Sequence, residues 1–336
     1  MVLCKRMGGV VGRIAISAIL ASTALVAVAG QAEARKRQRG GGYSPPYASI
    51  VVDVKSGKVL QAINPDALRH PASVTKVMTL YMLFEQMERG RFALDSELRM
   101  TARCAAMAPS KIGLRSGETI AVEDAIKAVV TKSANDVACA IGENIAGSEA
   151  AFGEMMTAKA RAIGMTRSNF ENASGLPNPN QLTTARDLAT LGRVIQDRFP
   201  RQYAFFGTRA FHYDGVVYRN HNKLLGRVEG VDGIKTGYTR ASGFNLLTSA
   251  RADGRHIITV VLGGRSGRIR DAQVAALVGE HLPRAYAGAR QTPRAVEVAQ
   301  ADEDSAAVVR RVAPTPPVAL AAVQPPARPK PAVVTE

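Results

Sequence analysis

Apolar and polar residues change their spacing along the chain, and this spacing predicts where strands and helices lie. Apolar residues alternate with polar ones on both sides of Ser56-Gly57, which predicts a β-hairpin over 48–64. Residues 73–89 are apolar nearly all round a helical projection, so this helix should be buried. Helical spacing also covers 122–131, 135–146, 149–163 and 184–198; strand-like runs cover 208–213, 216–220, 233–239, 243–251 and 256–263; a closing helix fits 268–287.

The order of these elements predicts the architecture. Strands lie at the beginning and the end of the body, and helices lie between them. This order is typical of an α+β fold with one antiparallel sheet, flanked by helices and built from both ends of the chain, and an inserted helical subdomain. We therefore predict one folded domain over 45–288 with a cleft beside the subdomain. The composition, 46% hydrophobic and 21% charged, is that of a globular protein and argues against a membrane-spanning or wholly disordered chain.

The first 34 residues have the layout of a secretory signal peptide. Lys5, Arg6 and Arg13 precede an apolar run over 14–29, and Ala32-Glu33-Ala34 is a small-x-small cleavage site. A membrane anchor is the alternative, although a membrane span needs roughly 20 apolar residues and this run is shorter. We expect cleavage after residue 34 and a periplasmic or secreted mature protein that begins with a basic, flexible arm over 35–44.

Charge and proline content change the picture at the two ends of the mature chain. The net charge is +16, and Arg35, Lys36, Arg37 and Arg39 place four positive charges in the arm. In an exported protein such a charge attracts an anionic wall polymer or membrane surface. No nucleic-acid-binding motif accompanies it, so we expect no nucleic-acid partner. Residues 289–336 hold eight of the 17 prolines and are predicted to be a disordered Pro/Ala-rich tail, either a tether or a plain tail.

Two cysteines remain after removal of the signal peptide. Cys104 and Cys139 lie in apolar helical settings, which favours packing roles over a disulfide, although an exported protein permits one. No Cys/His cluster has metal-ligand spacing, and we expect neither a metal nor an organic cofactor.

Ser73-Val-Thr-Lys76 opens the buried helix. The i, i+3 spacing places the hydroxyl and the amine on one helical face, a turn apart. Burial removes solvation from the lysine and lowers its pKa, so Lys76 can activate the Ser73 hydroxyl for attack on a carbonyl. Alone this pattern is weak, because ordinary composition produces roughly one Ser-x-x-Lys in a chain of this length.

Two further short motifs follow in the chain. Ser133-Ala-Asn135 lies between two predicted helices, where it can either relay a proton and hold a peptide or simply cap the second helix. Lys235-Thr236-Gly237 lies on a predicted strand; on a sheet edge, a cation, a hydroxyl and a bare glycine can dock an extended peptide. Each is weak alone, but the three motifs in this order are the signature set of penicillin-binding proteins and class A β-lactamases.

The sequence segments around the three motifs resemble those of one family. His70-Pro-Ala-Ser-Val-Thr-Lys, Lys132-Ser-Ala-Asn-Asp and Val231-Asp-Gly-Ile-Lys-Thr-Gly-Tyr-Thr resemble the boxes of the low-molecular-mass penicillin-binding proteins, the serine D-Ala-D-Ala carboxypeptidases. The stretches Asn172-Ala-Ser-Gly-Leu and Leu182-Thr-Thr-Ala-Arg-Asp resemble them too, and the likeness covers about 45–285. It implies a serine β-lactamase/DD-peptidase-like fold and a role in peptidoglycan biosynthesis.

The resemblance also implies roles for single residues. Ser73 forms the acyl-enzyme, Lys76 takes its proton and Ser133 returns a proton to the leaving amine. Peptidoglycan stem peptides are the implied substrates and β-lactams the covalent inhibitors, with backbone N–H groups of Ser73 and Tyr238 as the oxyanion hole. The substrate-binding set is Asn135, Lys235, Thr236, Gly237 and Tyr238.

Two positions depart from the family pattern. His221 stands where many relatives carry a carboxylate-binding arginine, and Gln181 stands where relatives often have a histidine. The substrate carboxylate can therefore be bound differently from the way relatives bind it, and Arg219 or Arg240 are the candidates to replace the missing arginine.

Three alternative functions remain. A D,D-endopeptidase acting on cross-links would use the same catalytic residues. A class A-like β-lactamase needs a water-activating carboxylate in a Glu-x-x-Leu-Asn segment, and Glu171-Asn-Ala-Ser-Gly does not fit it. A non-catalytic wall-binding scaffold would suit the basic arm and tail, but it would not need the catalytic set.

Overall fold

A computed structural model describes residues 44–294. The predicted signal peptide, almost all of the basic arm and most of the tail lie outside this range. The main sheet has five antiparallel strands: β1 Ala48–Asp53, β2 Val59–Ile63, β7 Val231–Thr239, β8 Gly243–Ala252 and β9 Arg255–Gly264. Their order is β2-β1-β9-β8-β7, so the first two strands of the chain lie beside the last three. The predicted antiparallel sheet built from both ends is confirmed.

The helices form two groups around this sheet. Helix α8 (Gly267–His281) covers one face, and helix α6 (Ala185–Arg198) together with the central helices covers the other. Two small antiparallel strand pairs are also present: β3 Glu97–Arg99 with β4 Thr119–Ala121, and the hairpin of β5 Ala210–Tyr213 with β6 Val216–Arg219. The helices are α1 Lys76–Glu88, α2 Ala102–Ala105, α3 Val122–Thr131, α4 Asn135–Ala146, α5 Glu149–Ala162, α6 Ala185–Arg198, α7 Pro200–Tyr203 and α8 Gly267–His281.

Alternation along the strands divides the hydrophobic core in two. Val51, Leu246 and Val261 face α8 and pack against Val274 and Val278 of that helix. Ile50, Leu247, Ile258 and Val260 face the other way and share a larger core with α1, α3, α4 and α6. Successive strand residues point to opposite faces, so a sheet covered on both sides is apolar at nearly every position.

The termini of two predicted helices differ from the structure. The helix predicted over 73–89 begins instead with a 3₁₀ turn at Ala72–Thr75, and the α-helix starts at Lys76. The closing helix predicted over 268–287 ends at His281, followed by a 3₁₀ turn at Leu282–Arg284. Pro283 explains this end, because proline lacks the N–H donor that the next hydrogen bond of the helix would need.

The ordered body continues past the boundary predicted at 288. Arg290 forms a bidentate ion pair with Asp197, with N···O distances of 2.6 and 2.7 Å. The hydroxyl of Thr292 donates to the backbone oxygen of Val54 at 3.0 Å. Residues 289–294 therefore pack on the body, whereas the rest of the predicted tail lies outside the described residues.

The cysteine prediction is wrong. Cys104 and Cys139 form a disulfide, with their Cα atoms 5.4 Å apart. The sequence pattern missed the short helix α2, whose packing against α4 brings Cys104 to Cys139. Both residues are fully buried, so the apolar settings were interpreted correctly while the pairing was not.

No helix among residues 44–294 is long and apolar enough to cross a membrane.

Candidate active site

Ser73 and Lys76 lie where the 3₁₀ turn passes into α1. Lys76 Nζ lies 3.1 Å from Ser73 Oγ, as the i, i+3 spacing predicts. Ala72, just before the serine, has a left-handed backbone with φ of 50°. Such a conformation costs energy in a residue other than glycine, and it is typical of functional turns. The turn presents the Ser73 hydroxyl to the cleft, while the lysine is fully buried.

Lys76 is surrounded by oxygen atoms. Besides Ser73 Oγ, its Nζ contacts Asn135 Oδ1 at 2.7 Å and the backbone oxygen of Ser174 at 2.5 Å. Burial lowers the pKa of Lys76 well below its usual value, and the positive charge of Lys235 lowers it further, while Asp136 and Glu149 oppose the shift. The neutral amine, which can accept a proton, is therefore favoured.

Ser133 and Asn135 flank the start of α4. Ser133 has φ of 62°, and the helix is preceded by Ala134, which makes no side-chain cap. The helix-cap alternative for this motif is therefore wrong. Asn135 instead donates from Nδ2 to the backbone oxygen of Ala108 at 2.8 Å, and its own N–H donates to the oxygen of Ser110 at 2.6 Å. These bonds turn Oδ1 towards Lys76.

Lys235, Thr236 and Gly237 lie on β7, an edge strand of the sheet as the docking argument requires. Lys235 Nζ donates to Ser133 Oγ at 3.1 Å and to the backbone oxygen of Thr236 at 3.0 Å. Only 2% of Lys235 is exposed. Burial, then the nearby Arg270, lowers its pKa to about 7. Lys235 therefore links the second motif to the third.

Two glycines allow the walls of the site to approach Ser73. A Cβ on Gly237 would lie 2.9 Å from the oxygen of Pro71 and 3.0 Å from the nitrogen of Ser73. A Cβ on Gly175 would lie 1.9 Å from the oxygen of Ala72, and Gly175 has a left-handed φ of 82°. Any larger side chain at Gly175 would displace the nucleophile turn, so the glycine is required by both space and conformation.

The predicted residues surround one cleft of about 360 Å³. Lys76 and Lys235 lie just beneath its surface, bonded to the lining serines. None of the described residues that line it is acidic. The lining residues are Ser73, Pro109, Ser110, Ser133, Asn135, Gly175, Leu176, His221, Thr236, Gly237, Tyr238, Thr239, Phe244, Gly267 and Arg270.

Arg270 is the cationic residue that the sequence interpretation missed. It is only 5% exposed, lines the cleft from α8, and donates to the backbone oxygen of Asn245 and to Asp271. The proposed substitutes Arg219 and Arg240 are exposed and do not line the cleft. A signal was present, because Arg270 has helical spacing with the buried Val274 and Val278.

The two positions that depart from the family pattern have different roles. His221 lies on the cleft rim, where loss of hydration and the lysines Lys235 and Lys132 lower its pKa, so its imidazole is neutral at pH 7. Gln181 does not line this cleft. It is 2% exposed, and its Oε1 accepts the backbone N–H groups of Glu171 and Asn172, both at 3.0 Å.

One group of side chains within residues 44–294 has metal-ligand proximity, namely Cys104, Cys139 and Glu143. Because the two sulfur atoms are bonded to each other, they cannot act as thiolate ligands.

Comparison with known proteins matches most of the described chain to one family of peptidases. The model of the family described as D-alanyl-D-alanine carboxypeptidase matches residues 46–266. The carboxypeptidase DacC of Escherichia coli K12 is 35% identical over 230 residues, which are 66% of this chain and 58% of that protein. The chain thus spans less than three fifths of that relative's length.

Solved structures agree. The D-alanyl-D-alanine carboxypeptidase DacD of Francisella tularensis is 28% identical with a TM-score of 0.68, covering 70% of this chain and 69% of that one. Penicillin-binding protein D2 of Listeria monocytogenes, solved in its ampicillin-bound form, is 28% identical with a TM-score of 0.63, covering 69% of this chain and 96% of that one.

Proposed function

Because the chain belongs to the D-alanyl-D-alanine carboxypeptidase family, we propose that it removes the terminal D-Ala from peptidoglycan stem pentapeptides through an acyl-enzyme on Ser73. The observation that carries this proposal is the contact of Lys76 Nζ with Ser73 Oγ at 3.1 Å. The Lys76 side chain is fully buried, so water does not stabilise a positive charge on its amine. A hydroxyl becomes a useful nucleophile when such a base can take its proton.

The first half of the reaction uses all three motifs. Lys76 takes the Ser73 proton as Oγ attacks the carbonyl carbon of the penultimate D-Ala, and that carbonyl oxygen becomes an oxyanion. The backbone N–H groups of Ser73 and Tyr238 stabilise it; losing one such donor typically costs about 2.7–4 kcal/mol of barrier. The C–N bond then breaks, and the departing amine of D-Ala takes a proton from Lys76 through Ser133.

Substrate recognition is assigned to the edge strand and the cations near it. The backbone of β7 offers main-chain partners to an extended peptide, and Asn135 holds the peptide from the opposite wall. Lys235 and Thr236 bind the terminal carboxylate, with Arg270 as the third partner in place of the exposed arginines first considered. A buried cation gains more from an incoming carboxylate than an exposed one does.

None of the described cleft-lining residues is acidic, and this affects the second half of the reaction, the hydrolysis of the acyl-enzyme. Water must release the shortened peptide without a carboxylate to activate it. Glu171, the β-lactamase candidate, accepts from Asn169 Nδ2 at 2.7 Å and does not line the cleft. β-Lactams should therefore acylate Ser73 and leave slowly, as long-lived inhibitors instead of substrates.

We further propose a periplasmic location, with an anionic wall polymer or membrane surface as partner of the basic arm. The apolar run of residues 14–29 and the charges of 35–39 support these proposals from the sequence. The test is whether processing occurs after residue 34 when the chain is exported, which N-terminal sequencing of the mature protein decides.

The activity is tested with purified residues 35–336 and a fluorescent penicillin. A lasting adduct that mass spectrometry places on Ser73, and that Ser73→Ala abolishes, is the expected result. Release of D-Ala from a pentapeptide then distinguishes a carboxypeptidase from an endopeptidase, which would cut cross-linked dimers instead. If the protein forms no adduct and shows no turnover, the catalytic proposal is rejected and the scaffold alternative is left.

A further inference from the structure

Lys76 must be oriented as well as neutral to act as a base. A neutral amine has two N–H groups and one lone pair. Two of the three partners of Nζ, Asn135 Oδ1 and the backbone oxygen of Ser174, can only accept hydrogen bonds. When these two take both N–H groups, the lone pair is left for the Ser73 hydroxyl at 3.1 Å. The Ser174 carbonyl is thus half of the device that aims the base.

The side chain of Asn172 holds that carbonyl in place. Its Oδ1 accepts from Gly175 N at 2.8 Å, from Ser174 Oγ at 3.1 Å and from Ser174 N at 3.2 Å. Its Nδ2 donates to the oxygen of Leu176 at 3.1 Å. One amide therefore bonds to three successive residues of the turn, and the peptide unit that carries the Ser174 oxygen lies inside this ring of bonds.

The turn is also anchored from outside. Thr79 of α1, one turn beyond Lys76, donates from Oγ1 to the oxygen of Ala173 at 2.6 Å. Gln181 accepts the N–H of Asn172 at 3.0 Å, so this departure from the family pattern supports the same turn. With both ends fixed, the side chain of Asn172 decides how the central peptide is rotated.

We propose that Asn172 is a positioning residue for the general base: its amide oxygen rotates the Ser174 carbonyl onto Lys76 and so directs the lone pair of the amine at Ser73. This rests on the acyl-enzyme chemistry proposed above. Asn172 does not line the cleft and touches no reacting atom, so its effect passes through the Ser174 carbonyl.

The test compares three variants in pre-steady-state acylation by a chromogenic cephalosporin, with the acylation rate constant separated from reversible binding. Asn172→Ala removes the acceptor, and we expect the acylation rate to fall about 30-fold with binding unchanged, because displacement by about 1 Å can cost 10²-fold. Asn178→Ala is the matched control. It lies in the same loop, and within residues 44–294 its Oδ1 accepts one hydrogen bond, from Asn180 N at 2.8 Å, so the rate should stay within about twofold.

Asn172→Asp separates positioning from mere stabilisation of the fold. The carboxylate keeps the acceptor that Ser174 and Gly175 use, but its second oxygen faces the Leu176 oxygen to which the amide donated, so the maximal rate should recover in part, to within about tenfold of the wild type. It also brings a negative charge near Lys76, which raises the pKa of that lysine. The acid limb of the pH–rate profile should therefore move up by about half a unit to one unit.

The outcomes are distinguishable. Wild-type protein that is not acylated at all rejects the proposed function itself. Acylated wild type with Asn172→Ala no slower than Asn178→Ala rejects the positioning role, and so does an Asn172→Asp variant as slow as the alanine variant with an unmoved acid limb. Thermal unfolding is measured for each variant, and should Asn172→Ala not fold, the rate and profile of Asn172→Asp decide the question.

Discussion

Lys76 and Lys235 are buried in the same cleft, yet their surroundings prepare them for different tasks. Lys76 faces a hydroxyl, an amide oxygen and a carbonyl oxygen. Lys235 faces the Ser133 hydroxyl and the carbonyl of its own neighbour, Thr236. Burial lowers both pKa values; the charge of Lys235 then lowers that of Lys76, and the charge of Arg270 lowers that of Lys235. The contacts differ, because Lys76 lies against the nucleophile Ser73, whereas Lys235 lies against Ser133.

The difference teaches how one fold obtains a base and a cation from the same residue type. With its pKa near 7, Lys235 regains full charge when a carboxylate arrives beside it, because an opposite charge favours the ionised form. That charge in turn lowers the pKa of Lys76 and favours its neutral form. Substrate binding thus strengthens the division between the two lysines instead of erasing it.

The strongest way to break this comparison is to replace the base. Lys76→Ala should lower the acylation rate by about 10³-fold or more, since general-base catalysis contributes 10²–10⁴-fold. Lys76→Arg should be nearly as slow, because arginine keeps the charge but does not give up its proton. Stopped-flow acylation measures both. Lys127→Ala, which loses only a partly exposed pair with Glu123, is the control. An active Lys76→Arg variant would show that charge and not basicity matters.

Replacing the cation should have a smaller and different effect. Lys235→Ala removes a charged partner of the substrate carboxylate, a contact of about 1.5–3 kcal/mol, so kcat/KM for a pentapeptide should fall about 10- to 150-fold. Most of the loss should appear in KM, whereas Lys76 variants should lose kcat. Steady-state kinetics of D-Ala release separate the two. A loss confined to kcat would mean that the lysines share one task.

The disulfide allows one side of the comparison to be loosened alone. Cys104–Cys139 ties α2 to α4, and the segment after α2 supplies the Ala108 and Ser110 oxygens that hold Asn135. Converting both cysteines to alanine should lower the free energy of unfolding by about 3–4 kcal/mol. Acylation should slow less than tenfold through Asn135 and Lys76, and KM should rise less than it does in Lys235→Ala, because the bonds of Lys235 to Ser133 and Thr236 stay in place. Denaturant unfolding and acylation kinetics test the two parts, and a KM raised as much as in Lys235→Ala with normal acylation would contradict them.

The sequence predicted those parts of the site that depend on local spacing. The i, i+3 pair of Ser73 and Lys76, the buried helix and the late strand of Lys235 follow from periodicity, and the order of three short motifs predicted that they meet. Spacing within a helix or strand is set by backbone geometry, so such predictions need no knowledge of tertiary contacts.

Other parts of the site could not be predicted because they depend on tertiary packing. The Ser174 oxygen is a backbone atom that any residue could supply, so no letter of the sequence marks it. The bridge of Cys104 required helix α2, which at four residues is too short to show a period. The helical spacing of Arg270 with Val274 and Val278 could have shown that it is buried, but the sequence could not show that it lines the cleft.

The smallest expected effect is on the pH dependence of kcat/KM, and it tests whether Lys235 is the cation that binds the carboxylate. Above about pH 7 the free enzyme loses the proton of Lys235 and with it the cation for the carboxylate, so kcat/KM should fall on the alkaline side. Protonation of Lys76 should produce the fall on the acid side. Arg270 lowers the pKa of Lys235, so Arg270→Gln should move the alkaline limb upwards, by about half a unit to one unit.

The position of the limb can be read even though Arg270→Gln also weakens binding, because a lower rate at every pH does not displace a pKa. Arg268→Gln is the control, since Arg268 lies two residues away on the exposed face of α8. The kcat profile should have its alkaline limb at higher pH than the kcat/KM profile, because the bound carboxylate raises the pKa of Lys235. If neither profile changes in Arg270→Gln, the alkaline limb belongs to another group. Arg270 would then not be what lowers the pKa of Lys235.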